Sequence, residues 1–245
     1  MARKNVFLSA AVFMAFLLIT LPAASQITSD GTVPGVPVED PWELTFIKFL
    51  RTGSAMPDPT LLYDPDAETY EATAAGADIW DSEDGCAFIY YEIPTGDWSV
   101  RVCVDHQFTG PSTNGWSKGG VMVRDSLTAD SKYVFYATTR SSGGDAAMQW
   151  RDDDNTAALP GWNDAWRVTL GYPHYLRLDR VGDDFIGYYS EDGETWTQST
   201  DPVSHTNSNF EDPVYVGMVL TSHDQTIETT MTFSHFEIPG YEPGT

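Results

Sequence analysis

Basic residues are scarce in this sequence. Thirteen lysines and arginines stand against 36 aspartates and glutamates, for a net charge of −23. So acidic a chain repels phosphodiester backbones and anionic lipid surfaces, which excludes nucleic acid as an expected partner. Cysteine is scarce too: Cys86 and Cys103 are the only two in 245 residues. That excludes a disulfide-dense scaffold and a thiolate metal cluster. The histidines His106, His174, His205, His223 and His235 never fall at i, i+2 or i, i+4, so no zinc motif is present. There is no Gly-x-Ser-x-Gly elbow and no phosphate loop. Beyond Leu21 no apolar run is long enough to span a bilayer, so no membrane insertion is expected after leader cleavage.

What the sequence does contain begins with a leader. Arg3 and Lys4 precede the apolar run Val6–Leu21, and Ala23-Ala24-Ser25 supplies small residues before Gln26. This is the form of a secretory signal over residues 1–25, and the protein is expected outside the cytoplasm, secreted or periplasmic. Residues 26–41 are rich in Gly, Pro and Val without a period and read as a linker. At Asp40-Pro41-Trp42-Glu43 two readings stand open. The N-cap, Pro and Glu suit a helix start, yet Thr45, Phe46, Ile47 and Phe49 are good strand residues. A single domain over 42–240 with a short tail, 241–245, is expected.

From Thr60 onward short apolar-alternating runs recur with turn residues between them, the pattern of an antiparallel two-sheet β-sandwich of jelly-roll type. CAFIYYEI and WSVRVCV, joined by Pro94-Thr95-Gly96-Asp97, read as a hairpin. Both cysteines would then be neighbours on one face, and in an exported chain a Cys86–Cys103 disulfide is expected. The stretch 119–151 reads as three consecutive strands. Within it Met122 shares a face with Arg124, and Gln149 shares one with Arg151. If those faces coincide, one side of the sheet is a platform of fixed donors.

Several segments together resemble one family: AGADIW (75–80), KGGVMVRDSLTADSKY (118–133), MQWR (148–151), YLRLDRVGDDFIGYYSEDGETWTQ (175–198) and VYVGMVLTSHD (214–224). They are similar to small secreted bacterial jelly-roll domains of the concanavalin A-like lectin/glucanase superfamily, many of them domains of unknown function. The resemblance covers roughly residues 58–238 and implies a two-sheet sandwich with a concave face and a link to glycans. The chain joins a leader to one domain, so no catalytic module is expected in cis. Laminarinase-type relatives carry Glu-x-Asp-x-x-Glu within one strand. Here Glu191-Asp192-Gly193-Glu194 falls in a turn instead, and no catalytic pair is assigned.

A glycan site needs flat aromatic faces and planar hydrogen-bonders. The candidates are Arg124, Gln149 and Arg151 on the polar strands, with Trp116, Trp150, Trp162 and Trp166 in or beside nearby loops. Trp80, Trp98 and Trp196 sit inside strand patterns and are assigned to packing. Asp152, Asp153 and Asp154 form a secondary calcium candidate, since the superfamily has calcium-dependent members. They lack EF-hand spacing, and no other cofactor is implied. The expected function is a non-catalytic module binding a polysaccharide or cell-surface glycan. A structural or adhesive domain is the alternative, and a glycosidase or lyase the third reading.

Overall fold

A computed structural model describes residues 43–47 and 57–239, apart from 65, 95, 106–107, 161–166 and 201–203. The leader, the linker at 26–41, the tail, Trp162 and Trp166 lie outside the described residues. In chain order the strands are β1 (Glu43–Ile47), β2 (Thr60–Asp64), β3 (Thr69–Gly76), β4 (Asp78–Trp80), β5 (Glu83–Ile93), β6 (Trp98–Val104), β7 (Lys118–Arg124) and β8 (Tyr133–Thr139). There follow β9 (Asp145–Arg151), β10 (Val168–Thr169), β11 (His174–Val181), β12 (Asp184–Ser190), β13 (Thr197–Gln198), β14 (His205–Thr206), β15 (Val214–Thr221) and β16 (Asp224–Glu237). At residues 43–47 the strand reading holds: β1 runs antiparallel to β5.

The strands form two eight-stranded sheets. The first has the order β1-β5-β15-β7-β8-β9-β10, with β4 attached to β5. The second has the order β13-β12-β11-β6-β16-β3-β2, with β14 attached to β12. Every pairing is antiparallel. Alternate residues of both sheets meet in the main core. Ile89, Val121, Val134, Met148 and Met218 from the first sheet pack with Val102, Leu176, Leu178, Met231 and Phe233 from the second. Period-2 alternation therefore converts directly into an inward face on each strand.

The expected cysteine hairpin is corrected by this topology. Strands β5 and β6 do not pair: β5 lies between β1 and β15, and β6 between β11 and β16. The chain crosses between sheets at residues 94–97, so Ala87, Ile89 and Tyr91 face Val100, Val102 and Val104 across the core rather than along a ladder. Each cysteine then points away from the core on its own sheet. Cys86 joins a second apolar cluster behind the first sheet, and Cys103 lies on the far side of the second. Both are free thiols. Burial pushes the Cys86 thiol up to about 12 and the Cys103 thiol up to about 11.

Candidate functional site

The faces expected to coincide do so. Register places Arg124 opposite Tyr133 and Tyr133 opposite Arg151, with Gln149 opposite Phe135 one step along. What differs is the cover. This outer face of the first sheet carries a second apolar layer of Ile79, Cys86, Phe88, Met122, Tyr133, Phe135 and Val219. Arg124 and Arg151 are 0% exposed and Gln149 is 5% exposed. They form no platform open to solvent.

Their hydrogen bonds are spent internally, on a carboxylate that the sequence did not single out. Asp84, fully buried at the start of β5, accepts Arg124 Nη1 at 2.6 Å, Arg151 Nη1 at 2.9 Å and Arg151 Nη2 at 2.8 Å. The remaining N–H groups donate to backbone carbonyls. Arg124 binds Ser126 O and Thr128 O, while Arg151 binds Trp80 O, Asp81 O, Ser131 O and Thr156 O. Burial is the largest single effect on Arg151 and works against its charge, but the hydrogen bond and the charge of Asp84, with smaller contributions from Tyr133 and Asp130, together raise its pKa. The Tyr133 ring lies against both guanidiniums, at 5.7 and 4.9 Å. Gln149 Nε2 donates to Ile79 O at 2.7 Å and to the Tyr133 hydroxyl. The cluster thus ties three loops, around residues 81, 128 and 156, onto one sheet.

The calcium candidate does not converge either. Asp152 pairs with His205 Nε2 at 2.9 Å, Asp153 accepts Asn209 Nδ2 at 2.9 Å, and Asp154 accepts the Lys132 amide at 2.8 Å. Three carboxylates committed to three separate partners leave no shared centre, and no metal-type cluster occurs among the described residues. Trp150 stacks on His205 with ring centroids 4.3 Å apart. Trp116 is exposed at a loop, with the Arg167 guanidinium 5.8 Å from its ring.

One buried histidine sets a pH response. His174 donates from Nδ1 to Gly171 O at 2.7 Å, while its Nε2 has no hydrogen-bond partner among the described residues. Burial lowers its pKa below the ordinary histidine value, against smaller opposing effects of the Gly171 carbonyl and Asp145. The unfolded chain then binds the proton more readily, so stability is full above about pH 6.5 and declines as the pH falls below it. Burial lowers His205 in the same direction. Urea unfolding at pH 7 and pH 5 should show lower stability at pH 5, with a smaller loss in His174→Gln.

The accessible chemistry lies on the second sheet. Outward residues of β11 and β12 place Arg177 directly opposite Tyr188, and the guanidinium lies 4.7 Å from that ring. Trp196, which the strand pattern had assigned to packing, lies near the same guanidinium. Its ring is 5.7 Å from Arg177 and meets Tyr175 edge-on at 6.5 Å. His235 meets Tyr175 from β16 at 6.0 Å. These side chains are partly or fully exposed. The turn before Trp196 is built by Asp192, whose carboxylate accepts the amides of Glu194 at 2.9 Å and Thr195 at 2.7 Å. Those amides, Thr195 foremost, hold Asp192 down at about 2. Gly193, at φ 74, lies under the Tyr175 ring, where a Cβ would come within 2.8 Å of Cε1. The other half of the same face is plain: Thr73, Thr230 and Thr232 beside Glu71. The signal in the sequence was Tyr175, Arg177 and Tyr188 in outward register, legible only once β11 and β12 are paired.

No protein-family model matches the chain, and no curated protein matches it in sequence. Solved structures do. A functionally unknown protein from Saccharomyces cerevisiae superposes with a TM-score of 0.51 at 16% identity, over 75% of this chain and 97% of that one. The fold is a two-sheet antiparallel β-sandwich of jelly-roll type. Other solved structures align at lower scores. The GH43 protein BlXynB from Bacillus licheniformis has a TM-score of 0.46 at 14% identity, over 79% of this chain and 36% of that one. A lectin from Bauhinia forficata in complex with GalNAc has 0.38 at 9% identity, over 82% and 93%. Across such identities the likeness concerns the fold, and the jelly roll hosts more than one activity.

Proposed function

We propose that this protein is a non-catalytic glycan-binding module that works on the open face of its second sheet. The carrying observation is the grouping of Tyr175, Tyr188 and Trp196 around Arg177 on a solvent-facing sheet surface whose other half is threonine. Exposed aromatic rings offer apolar faces to the C–H faces of sugar rings, and guanidinium edges donate to hydroxyl pairs. The polar strands of the first sheet take no part, because their donors are buried and spent on Asp84, Tyr133 and backbone carbonyls. An exported protein with such a face would meet polysaccharides or surface glycans outside the cell.

Native gels cast with soluble polysaccharides test this. The protein should be retarded by at least one polymer. Trp196→Ala should weaken that retardation about tenfold, the loss of about one stacking contact. Thr73→Ala, on the threonine half, should leave it unchanged. Absence of retardation across neutral and acidic polymers would overturn the reading.

A further inference from the structure

We infer that the glycan taken by this face is uncharged, an inference that rests on the binding reading above. An arginine on a sheet surface is by itself an attraction for uronates and sulfated sugars. Here the two outward arginines face each other across β6 and β11, with Arg101 directly opposite Arg177. Two like charges in that position repel unless each is neutralised. Each is neutralised. Arg177 donates from Nε to Asp179 at 2.7 Å and from Nη2 to the second oxygen of the same carboxylate. Arg101 donates from Nε at 3.2 Å and from Nη2 at 2.5 Å to Glu237. Both pairs lie in strand register, Asp179 two residues along β11 from Arg177 and Glu237 opposite Arg101 on β16.

The row across the sheet therefore reads Tyr188, Arg177, Arg101, Glu237, with Asp179 one outward position along β11 from Arg177, and each cation has its own carboxylate. An incoming carboxylate would have to displace Asp179 or Glu237 from its arginine. It would also approach a chain with a net charge of −23. A neutral sugar faces neither obstacle. Its hydroxyls can accept from guanidinium N–H groups and donate to the same carboxylates, while its rings lie on Trp196 and Tyr175. The ion pairs thus act as hydrogen-bonding tiles and as a filter against acidic polymers.

Affinity gels with a neutral β-glucan, a neutral xylan and polygalacturonate separate the possibilities. The inference expects retardation by a neutral polymer and none by polygalacturonate at low salt. Asp179→Asn with Glu237→Gln should then acquire retardation by polygalacturonate, lost again as salt is raised, because both guanidiniums lose the carboxylates that neutralise them. Circular dichroism of the double variant checks that the sheet persists. Equal or stronger retardation of the parent protein by polygalacturonate, weakened by salt, overturns this inference and leaves glycan binding standing. Failure to bind any of the polymers overturns both.

Discussion

Replacing Asp84 with asparagine is expected to cost about 3–5 kcal/mol of stability, the penalty for removing one partner of a buried ion cluster. In a domain of this size that corresponds to a fall in Tm of about 6–20 °C. The substitution keeps shape and volume but removes the one carboxylate that three guanidinium N–H groups share. Arg124 and Arg151 would then sit as two buried positive charges flanking one Tyr133 ring. Their carbonyl acceptors remain, so the chain should still fold in the cold. The triple change Asp84→Leu, Arg124→Met, Arg151→Met should recover part of the loss, because it removes the buried charges but leaves the backbone carbonyls bonded by the two arginines without those donors. Paired thermal melts of the single and triple variants decide it. A single variant that melts with the parent protein would show that the cluster contributes little.

The same cluster shows where the sequence was readable and where it was not. Alternation along 119–151 gave the strands, and it gave the shared face of Arg124, Gln149 and Arg151. It could not give the cover. Period-2 patterning says which side chains turn outward from the core, but loops arriving from residues 81, 128 and 156 decide whether outward means wet. Asp84 sits in the run Glu83-Asp84-Gly85, which looks like any surface turn. Only pairing of β5 with β4, and the Asp84 amide bonded to Ala129 O at 2.8 Å, places it beneath both arginines.

Other differences share that cause. A short Pro-Thr-Gly-Asp link suits a hairpin and an inter-sheet crossing equally, and the cysteines were placed by the first. Asp152 to Asp154 are adjacent in sequence, yet successive side chains of an irregular loop diverge, and each reached a different neighbour. Trp196 alternates like a core residue with its flanking threonines. It is turned outward by the Asp192 turn, a short-range device that strand periodicity does not describe.

Glycine offers a second large effect. Gly217 lies in β15 between Tyr90 on β5 and Met122 on β7, in the middle of the first sheet. Its φ lies outside the left-handed region, so its requirement is for space. A Cβ there would fall well inside contact distance of the Ile89 carbonyl oxygen and 2.7 Å from Tyr90 Cα. Both obstacles are backbone, which cannot rotate aside as a side chain can. To admit a methyl group β15 and β5 must part, weakening their ladder and disturbing the Phe88 layer behind it. Gly217→Ala should therefore destabilise by about 3 kcal/mol, the upper end of overpacking. Gly143 is the internal comparison. It has φ 68 and nothing near its added Cβ, so Gly143→Ala carries backbone strain alone, about 1 kcal/mol. Urea titrations of the two variants should rank them in that order. A Gly217→Ala protein as stable as Gly143→Ala would mean that the central pair of strands yields more easily than its spacing implies.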